Sequence, residues 1–412
     1  MSDAAASGQR CDLAIVGGGL VGASLALALA PAGLDVVLIE AALPGSVGQP
    51  SFDDRTAALG NGSRRILETL GAWQHLAPHA APIAALHVSD AGRFGVARLS
   101  AAEQGLAALG YTVSNRQLGH ALWTALRERA DPARLRQLAP ARVGAVEIAA
   151  QAVTLRVRAE SGAEQVWRAS LAVAADGAQS LVRSAAGIGA ESSDYQQVAI
   201  VANLATDRMA TGVAFERFTP TGPLAVLPLA DGSYTVVWTL APAAAEAMMR
   251  LDDEAFRAGL QRCFGWRIGT LLKVGRRASY PLSLTRAAAC VGERVALVGN
   301  AAQSLHPVAG QGFNLGLRDA ATLAELVAGA ADPGAPALLA EYQRRRQQDR
   351  EGMIGFTDGL VRLFGSTRPG VPMARDLGLM LLDVMPPAKR ALSRLGWGFG
   401  SRAPRLLRGL GL

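Results

Sequence analysis

Cysteine and aromatic residues are both scarce in this sequence. The three cysteines among 412 residues, Cys11, Cys263 and Cys290, are too few and too far apart for a disulfide framework or a CxxC metal pair. We therefore expect no metal site and a reducing, cytoplasmic location. Aromatic residues make up 5% of the chain and glycines number 46, a composition that favours an α/β enzyme over a β-sandwich.

The net positive charge of the chain is concentrated near the carboxyl terminus. The net charge is +7, and the segment from Arg362 onwards holds nine Lys or Arg against Asp376 and Asp383, so the preceding chain is neutral overall. This distribution excludes a nucleic-acid footprint spread over a domain. The tail is predicted to rest on an anionic membrane surface or a partner protein, or equally to be a solvated helix packed on its own domain. The apolar residues among its charges are Leu392, Leu395, Trp397, Phe399, Leu406 and Leu407.

No charged side chain occurs between Leu13 and Leu34, yet a membrane span or a signal peptide is not favoured. Four glycines near the start and Pro31 near the end interrupt the run. No basic region precedes it and no cleavage site follows it. A strand, a turn and a helix explain the segment better, and we expect a soluble protein.

The turn in that segment has the spacing of a dinucleotide-binding fingerprint. Gly17-x-Gly19-x-x-Gly22 follows an apolar strand and opens a helix of small residues, and a second apolar strand ends at Glu40. The glycines bring the backbone close to a pyrophosphate at the helix amino terminus, and the acid accepts hydrogen bonds from a ribose. An acid in this place argues against a 2′-phosphate, so the pattern predicts FAD or NAD rather than NADP.

Two further motifs lie downstream. A predicted β-meander over residues 141–173 ends in Asp176-Gly177-x-x-Ser180-x-x-Arg183. The stretch "VALVGNAAQSLHPVAGQGFNLGLRDA", residues 295–320, places small and polar residues between an apolar strand and an amphipathic helix. Glycines in such a place let the backbone approach a ligand, and free N–H groups at a helix start favour electron-rich atoms.

The three motifs, in this order and spacing, resemble the single-component (class A) flavin aromatic hydroxylases, whose fold is similar to that of para-hydroxybenzoate hydroxylase. Over residues 11–364 the chain resembles the ubiquinone-biosynthesis hydroxylases, nearest those that act on 2-octaprenyl-6-methoxyphenol. The segments that carry this likeness are "DDRTAALGNGSRRILETLGAW", "FERFTPTGPLAVLPL", "FGWRIG" and "HPVAGQGFNLGLRD". The resemblance implies an FAD-dependent monooxygenase that uses O2 and NAD(P)H. It would convert the polyprenyl phenol to 2-octaprenyl-6-methoxy-1,4-benzoquinol through a flavin C4a-hydroperoxide.

The implied fold is α/β, with an FAD-binding Rossmann-type domain interleaved with an antiparallel-sheet substrate domain and followed by carboxyl-terminal helices. Short alternating runs such as "LAVLPL" and "YTVVWTL" are typical of the antiparallel sheet. The FAD-binding domain is predicted over 1–81, 113–186 and 283–365, the substrate domain over 82–112 and 187–282, and a helical basic tail over 366–412.

The resemblance also implies which residues contact the flavin besides the fingerprint and Glu40. Arg55 and Arg116 would approach FAD, with a surface salt bridge as the alternative for Arg55. Asp176 and Gly177 would lie near the pyrophosphate or ribose, with helix capping as the alternative. The ribityl chain and ring would be held by Gly299, Asn300, Pro307, Gly310, Gln311, Gly312 and Asn314.

At Asn300 the chain departs from the family pattern, in which an acid follows the glycine. The amide carbonyl of Asn300 can still accept a hydrogen bond from a ribityl hydroxyl. The change also removes a negative charge from near the flavin, which should ease formation of the anionic reduced ring. The loop over 307–314 would direct N–H groups to the edge of the ring where that charge accumulates.

The substrate side is less defined. His306 is the one candidate catalytic residue, a proton acceptor near the substrate phenol, although anchoring of the loop is the favoured alternative. Candidates for an apolar tunnel for the prenyl tail, or alternatively for the sheet core, are Phe215, Phe218, Leu227 and Trp238. Besides the polyprenyl phenol, the predicted partners are a ubiquinone-biosynthesis enzyme complex or the inner face of the cell membrane.

Other functions stay open at this point. A sibling enzyme could hydroxylate another carbon of the same ring, or a different phenol could be the substrate. A flavin halogenase is disfavoured because no WxWxIP motif occurs and the only lysines are Lys273 and Lys389. A prenyl-binding carrier or an NAD-linked dehydrogenase on this fold would purify without bound flavin. The ring carbon, prenyl length, choice of NADH or NADPH and oligomeric state are not predicted.

Overall fold

The computed structural model describes residues 8–46, 49, 55–366, 368–397 and 403–412. Its strands are β1 (Gln9–Val16), β2 (Val36–Ile39), β3 (Thr56–Gly60), β4 (Ala81–Ile83), β5 (Ala85–Asp90), β6 (Val96–Ser100), β7 (Gly110–Ser114), β8 (Leu135–Leu138), β9 (Ala141–Ala149), β10 (Ala152–Ala159), β11 (Glu164–Ala174), β12 (Ala190–Thr206), β13 (Val213–Thr219), β14 (Gly222–Pro228), β15 (Tyr234–Leu240), β16 (Leu271–Val274), β17 (Ala278–Ala287), β18 (Val291–Gly292), β19 (Val295–Leu297) and β20 (Gln303–Ser304). Its α-helices are α1 (Leu20–Leu29), α2 (Asn61–Thr69), α3 (Trp73–Leu76), α4 (Asn115–Arg129), α5 (Leu181–Ala185), α6 (Pro242–Arg250), α7 (Asp253–Phe264), α8 (Gln311–Val327), α9 (Pro336–Gly365), α10 (Val371–Val384) and α11 (Pro386–Trp397).

A largely parallel sheet carries the first glycine turn. Its strands lie in the order β18-β19-β11-β1-β2-β8, and β10 and β9 extend it from β11. β1 pairs in parallel with both neighbours, so that Leu13 lies opposite Val36 on β2 and Leu171 on β11. β2 is buried at every position and reads VVLI, as expected of a parallel strand covered on both faces.

Small residues explain how tightly α1 packs on this sheet. The helix reads LVGASLALAL and is buried from Gly22 to Leu29. It contacts α8 on one side and α4 on the other. Because α8 begins directly after the late glycine-rich loop, this packing brings the first and last motifs of the chain together.

A second, mostly antiparallel sheet lies beside the first. Its strands follow the order β20-β17-β12-β15-β14-β13-β5-β6, and β16 pairs with β12 outside that path. β5 and β6, from the segment predicted over 82–112, therefore share a sheet with strands from 187–282. The three short strands β3, β7 and β4 form a separate small sheet.

The antiparallel sheet has two faces of different character. One face, here called the helix face, packs on α6 and α7 around a core that includes Leu224, Val236 and Phe256. The opposite face, here called the loop face, carries Phe218, which packs with Val308 of the late loop and with Phe364 of α9. Since side chains alternate along a strand, each residue is assigned to one face by its register.

The carboxyl-terminal helices end the described chain. Leu406 and Leu407 are buried in the main core, where the Thr69 hydroxyl donates to the Leu406 carbonyl at 3.2 Å, so this part of the tail packs on its own domain. Phe399 and the side chains of Leu395 and Trp397 lie outside the described residues. Within the described ranges, no helix is both long enough and apolar enough to span a membrane.

Candidate active site

The glycine turn after β1 leaves no room for side chains. A Cβ on Gly22 would lie 1.9 Å from the Gly17 carbonyl oxygen. Gly17 itself has a φ of +104°, which L side chains rarely adopt, and its own Cβ would lie 2.4 Å from the Ala175 carbonyl oxygen. The turn therefore requires glycine for both conformation and close approach.

Glu40 is held against this turn from the end of β2. Its Oε2 accepts a hydrogen bond from the Gly18 amide at 2.6 Å, and its Oε1 accepts one from the Ala42 amide at 2.9 Å. The Trp123 indole N–H on α4 donates to the Gly18 carbonyl at 3.1 Å. Trp123 was not predicted as part of the site, because nothing local in the sequence distinguishes it from a core residue of α4.

Asp176 lies next to the same turn, at the end of β11. One carboxylate oxygen, Oδ2, accepts from the amides of Leu181 and Val182 at 2.8 and 3.3 Å, so the residue does cap α5. The other oxygen, Oδ1, is buried and has no hydrogen-bond partner among the described residues. Gly177 follows with a φ of +86° and with open space where a Cβ would be. Capping therefore accounts for half of the Asp176 carboxylate and leaves the other oxygen for a ligand hydroxyl.

The late loop begins where β19 ends. Gly299 has a φ of +58°, and its Cβ would lie 3.0 Å from the Val21 side chain on α1. Its amide donates to Asp319 Oδ2 at 3.0 Å, whereas Asn300 is exposed. Asp319 is fully buried on α8 and also binds Arg346 and Gln303. The sequence motif did not indicate this role, because Asp319 follows Arg318 at the end of an amphipathic run and looks like a solvated charge.

Asn314 fixes the loop to the small sheet. Its Oδ1 accepts from the Gly60 amide at 2.9 Å and from the Ser63 hydroxyl at 2.6 Å, and its Nδ2 donates to the Ala58 and Gly310 carbonyls at 2.8 Å each. The side chain predicted to contact the cofactor is thus fully used within the protein. Asn314 shapes the loop that would cradle a ring.

Other loop residues differ in their surroundings. Gly310 adopts a left-handed φ of +60° with a Cβ position 2.8 Å from the Ala58 Cβ. Gln311 is buried, whereas Pro307 and Gly312 are exposed and a Cβ on Gly312 would meet open space.

His306 is held at both ring nitrogens. Nδ1 accepts from the Val308 amide at 3.1 Å, and Nε2 lies 3.2 Å from Gln197 Oε1, which fixes Nε2 as the protonated nitrogen. Burial lowers the pKa of His306 to about 4. In this arrangement the His306 ring is a neutral anchor of the loop without a free acceptor, which supports the anchoring alternative over a role as proton acceptor.

A pH-dependent stability follows from this burial. The unfolded chain binds a proton at His306 near the ordinary pKa of 6.5 but the folded chain does so only near 4, so stability falls as the pH drops through that window. This difference in pKa corresponds to a loss of about 3 kcal/mol at most in the free energy of unfolding at low pH. We expect His306→Gln to be less stable than wild type at pH 7.5 in urea unfolding and to match it near pH 4.5. Parallel pH curves for the two proteins would contradict this, and the exposed His79→Gln serves as the control.

Arg55 and Arg116 start from adjacent points. The Asn115 amide, one residue before Arg116, donates to the Arg55 carbonyl at 2.8 Å. The Arg55 guanidinium lies over the ring of Tyr280 on β17, 4.9 Å from its centroid. Arg116 is exposed in the first turn of α4. Arg55 thus joins the FAD-binding side to the loop face of the antiparallel sheet.

The four apolar substrate candidates divide between the two faces. On the helix face, Phe215 packs edge-on against Phe264 at 5.5 Å between ring centroids, and Trp238 against Phe256 at 5.9 Å. Both therefore belong to the core shared with α7. Of the four candidates for the tunnel lining, the two on the opposite face are left.

Phe218 and Leu227 lie on the loop face. Phe218 stacks on Phe364 with ring centroids 3.5 Å apart, and Leu227 is half-buried. They stay candidates for contact with an apolar substrate tail.

The residues present fit a flavin dinucleotide. The glycine turn and the amino terminus of α1 can accept a pyrophosphate, and Glu40 lies where a ribose would be bound. Asp176 Oδ1, a buried acceptor without a partner among the residues that the structure describes, lies beside them. Open space at Gly177 and Gly312 leaves the backbone of both later motifs accessible to a ligand.

Comparison with known proteins agrees with this geometry. A family model described as an FAD binding domain matches residues 10–357. The chain is 42% identical over 409 residues to ubiquinone hydroxylase UbiL of Rhodospirillum rubrum, covering 97% of this chain and 93% of the relative. It is 34% identical to 3-demethoxyubiquinol 3-hydroxylase of Escherichia coli, over 95% of this chain and 99% of the relative.

Solved structures match in fold. The p-nitrophenol 4-monooxygenase PnpA of Pseudomonas putida superposes with a TM-score of 0.78 at 20% identity, covering 96% of this chain and all of that chain. The predicted class A flavin monooxygenase fold, the enzyme class and FAD as cofactor are confirmed. The chain belongs to the ubiquinone-biosynthesis family of FAD-dependent hydroxylases.

Proposed function

We propose that this protein hydroxylates 2-octaprenyl-6-methoxyphenol to 2-octaprenyl-6-methoxy-1,4-benzoquinol. The reaction consumes one O2 and one NAD(P)H, places one oxygen atom on the ring and releases the other as water. The observation that carries the proposal is that the three flavin motifs lie together and that the last of them packs on the loop face of the antiparallel sheet. Relatives named for ubiquinone-ring hydroxylation that match along nearly the whole chain support it.

The protein's own groups have distinct tasks in this reaction. When bound, FAD supplies the redox chemistry that activates O2 for insertion into the ring. The glycine turn and Glu40 position the dinucleotide, and the loop over 307–314, fixed by Asn314 and His306, offers amides to the flavin edge. The apolar loop face excludes water and holds an aromatic ring against the flavin. Only one glycine fingerprint occurs in the sequence, so NAD(P)H is proposed to bind transiently.

A sibling reaction at another carbon of the ring is the alternative. The Escherichia coli relative is named as a hydroxylase of carbon 3, so a likeness of this degree does not select the position. Quinone profiling by mass spectrometry in cells lacking the gene, with and without its restoration, distinguishes the two. Accumulated 2-polyprenyl-6-methoxyphenol would support the proposed reaction, and a later methylated intermediate would support the sibling. Unchanged quinones would overturn a role in this pathway.

We also propose that α10 contacts the membrane in which a polyprenyl substrate is dissolved. Exposed apolar side chains follow one another at helical spacing on α10, while the basic residues Arg362, Arg368 and Arg390 are exposed nearby. An exposed apolar helix face flanked by basic residues is typical of a helix lying on an anionic bilayer. The exposed apolar residues of α10 are Met373, Leu377, Met380, Leu381 and Val384.

We expect the double substitution of Leu377→Gln and Leu381→Gln to weaken binding to phosphatidylglycerol–phosphatidylethanolamine vesicles by roughly 10-fold or more. Co-sedimentation at low and high salt measures this. Leu272→Gln, an equally apolar and 49% exposed site on β16, is the matched control and should bind as wild type does. Wild-type protein that stays in the supernatant at every salt concentration would favour a protein partner for α10 instead.

A further inference from the structure

One row of side chains crosses seven strands on the loop face of the antiparallel sheet. The pairing registers place these residues side by side across the sheet. Six of the seven are alanine or valine, and the seventh is a glutamate. In order from β17 to β6 the row is Ala278, Val201, Val237, Ala225, Glu216, Val88 and Ala97.

One carboxylate oxygen of Glu216, Oε1, is buried without a hydrogen bond, among the described residues, that would offset its loss of contact with water. Burial raises the pKa of Glu216 to about 7. The residue as a whole is half-buried. A carboxyl kept in apolar surroundings without a partner costs stability, which is typical of a functional group.

The neighbouring row of the same face contacts both the late loop and Arg55, the two elements assigned to the flavin. Phe218, two residues beyond Glu216 on the same face, packs with Val308 of the late loop. Tyr280, two residues beyond Ala278 on the same face, lies under the Arg55 guanidinium. Glu216 therefore lies beside the contact between the sheet and the late loop, where the proposed function requires the substrate ring.

We propose that Glu216 receives the phenol hydroxyl of the substrate. This inference rests on the proposed function, because it needs a phenolic substrate. Glu216 Oε1 accepts the hydrogen bond and then the proton, so the O–H bond of the phenol breaks, an O–H bond forms on the carboxylate, and the electron pair stays on the phenolate oxygen. The phenolate ring is richer in electrons and attacks an electrophilic oxygen more readily. His306 cannot do this, since both of its nitrogens are bound within the protein.

Apolar residues also occupy the row on the side of Glu216 that leads to the edge of the sheet. At the β6 end of the row, Ala97 packs with Leu379 of α10, and Val88 packs in the same cluster. The opposite side of α10 carries the exposed apolar face described above. The row from Glu216 to the edge of the sheet is thus apolar and continues into the packing beneath α10.

The test compares FAD-loaded wild type with Glu216→Gln and with Glu191→Gln, an exposed glutamate on β12. The probe is 2-prenyl-6-methoxyphenol, and the readouts are kcat, KM, product formed per NAD(P)H consumed, and peroxide released. Glutamine still accepts a hydrogen bond through its carbonyl oxygen but cannot take a proton. We expect Glu216→Gln to lower kcat by about 100-fold with little change in KM, and to release peroxide. Glu191→Gln should behave as wild type.

A thermal melt at pH 8 separates a structural role from a chemical one. Because Glu216 Oε1 has no hydrogen-bond partner in the described part of the chain, Glu216→Gln should keep its flavin and melt no lower than wild type. A lower melting temperature, or wild-type kcat and coupling in Glu216→Gln, would overturn the assignment while leaving the proposed function intact. Wild-type protein that does not hydroxylate the probe at all would overturn the proposed function and, with it, this inference.

Discussion

Replacing Asp319 by alanine is expected to lower the free energy of unfolding by about 3–5 kcal/mol, because it breaks a buried network around a charged group. Asp319 Oδ1 accepts from Arg346 Nε at 2.6 Å, and Oδ2 accepts from the Gly299 amide at 3.0 Å and from Gln303 Nε2 at 2.7 Å. The substitution removes one carboxylate from a buried guanidinium. It also frees the Gly299 amide at the start of the flavin loop, so FAD content should fall together with stability.

A second carboxylate keeps this variant folded. Asp349 Oδ2 accepts from Arg346 Nη1 at 2.6 Å and from Arg318 Nε at 2.8 Å. Burial alone would raise the pKa of Asp349, but the two guanidinium charges outweigh it and hold that pKa at about 2. Arg346 therefore retains one counter-charge in Asp319→Ala, and a weakened rather than unfolded protein is expected.

Urea unfolding at a fixed excess of FAD measures the loss, since a bound ligand adds to apparent stability. Glu341→Ala is the matched control. This carboxylate on α9 binds Arg344 and Arg345 at the surface, where water screens the charges and the effect should be much smaller. Equal losses in the two variants would show that the buried network does not stabilise the loop.

Gly22→Ala is expected to reduce FAD affinity on the order of 100-fold, about 3 kcal/mol. The added Cβ would lie 1.9 Å from the Gly17 carbonyl oxygen and 3.2 Å from the Ala175 Cβ. The first of these is a backbone atom in a turn that cannot rotate away, so the turn must open and the amides at the start of α1 lose their alignment. The flavin-to-protein absorbance ratio and titration of FAD into stripped protein both report the change.

Gly359→Ala gives the same chemical change where the chain can accept it. Gly359 is exposed within α9, and a Cβ there meets nothing within 4 Å. Alanine in a helix interior should raise stability by about 0.5–1 kcal/mol without changing flavin content. If Gly22→Ala purifies with the flavin content of Gly359→Ala, the turn does not bind the pyrophosphate as proposed.

Local motifs predicted the family, the fold and FAD as the cofactor. The glycine fingerprint needs only a strand, a turn and a helix that are adjacent in the sequence, so the close approach at Gly22 follows from local geometry. The order of the three motifs was sufficient to indicate the family and the fold. Glu40 could be named as a candidate for the same reason, because it follows the next strand of the same βαβ unit.

Charged and polar residues inside apolar segments were interpreted less well. Asp319 and Asn314 accept hydrogen bonds from backbone amides that are more than fifteen residues away in the sequence. These are the amides of Gly299 and Gly60. Their burial depends on which side of α8 faces the loop. The sequence pattern of one helix does not indicate which distant backbone amides its polar side chains will hydrogen-bond.

The four residues "FERF", 215–218, show the division between the two kinds of information. The period of two along a strand by itself determines that Phe215 and Arg217 point one way and that Glu216 and Phe218 point the other. Only the tertiary structure decides that α6 and α7 cover the first side and the flavin loop lies over the second. The physical reason is that alternation is a property of the local backbone, whereas burial against a helix or a ligand loop depends on contacts between segments far apart in the chain.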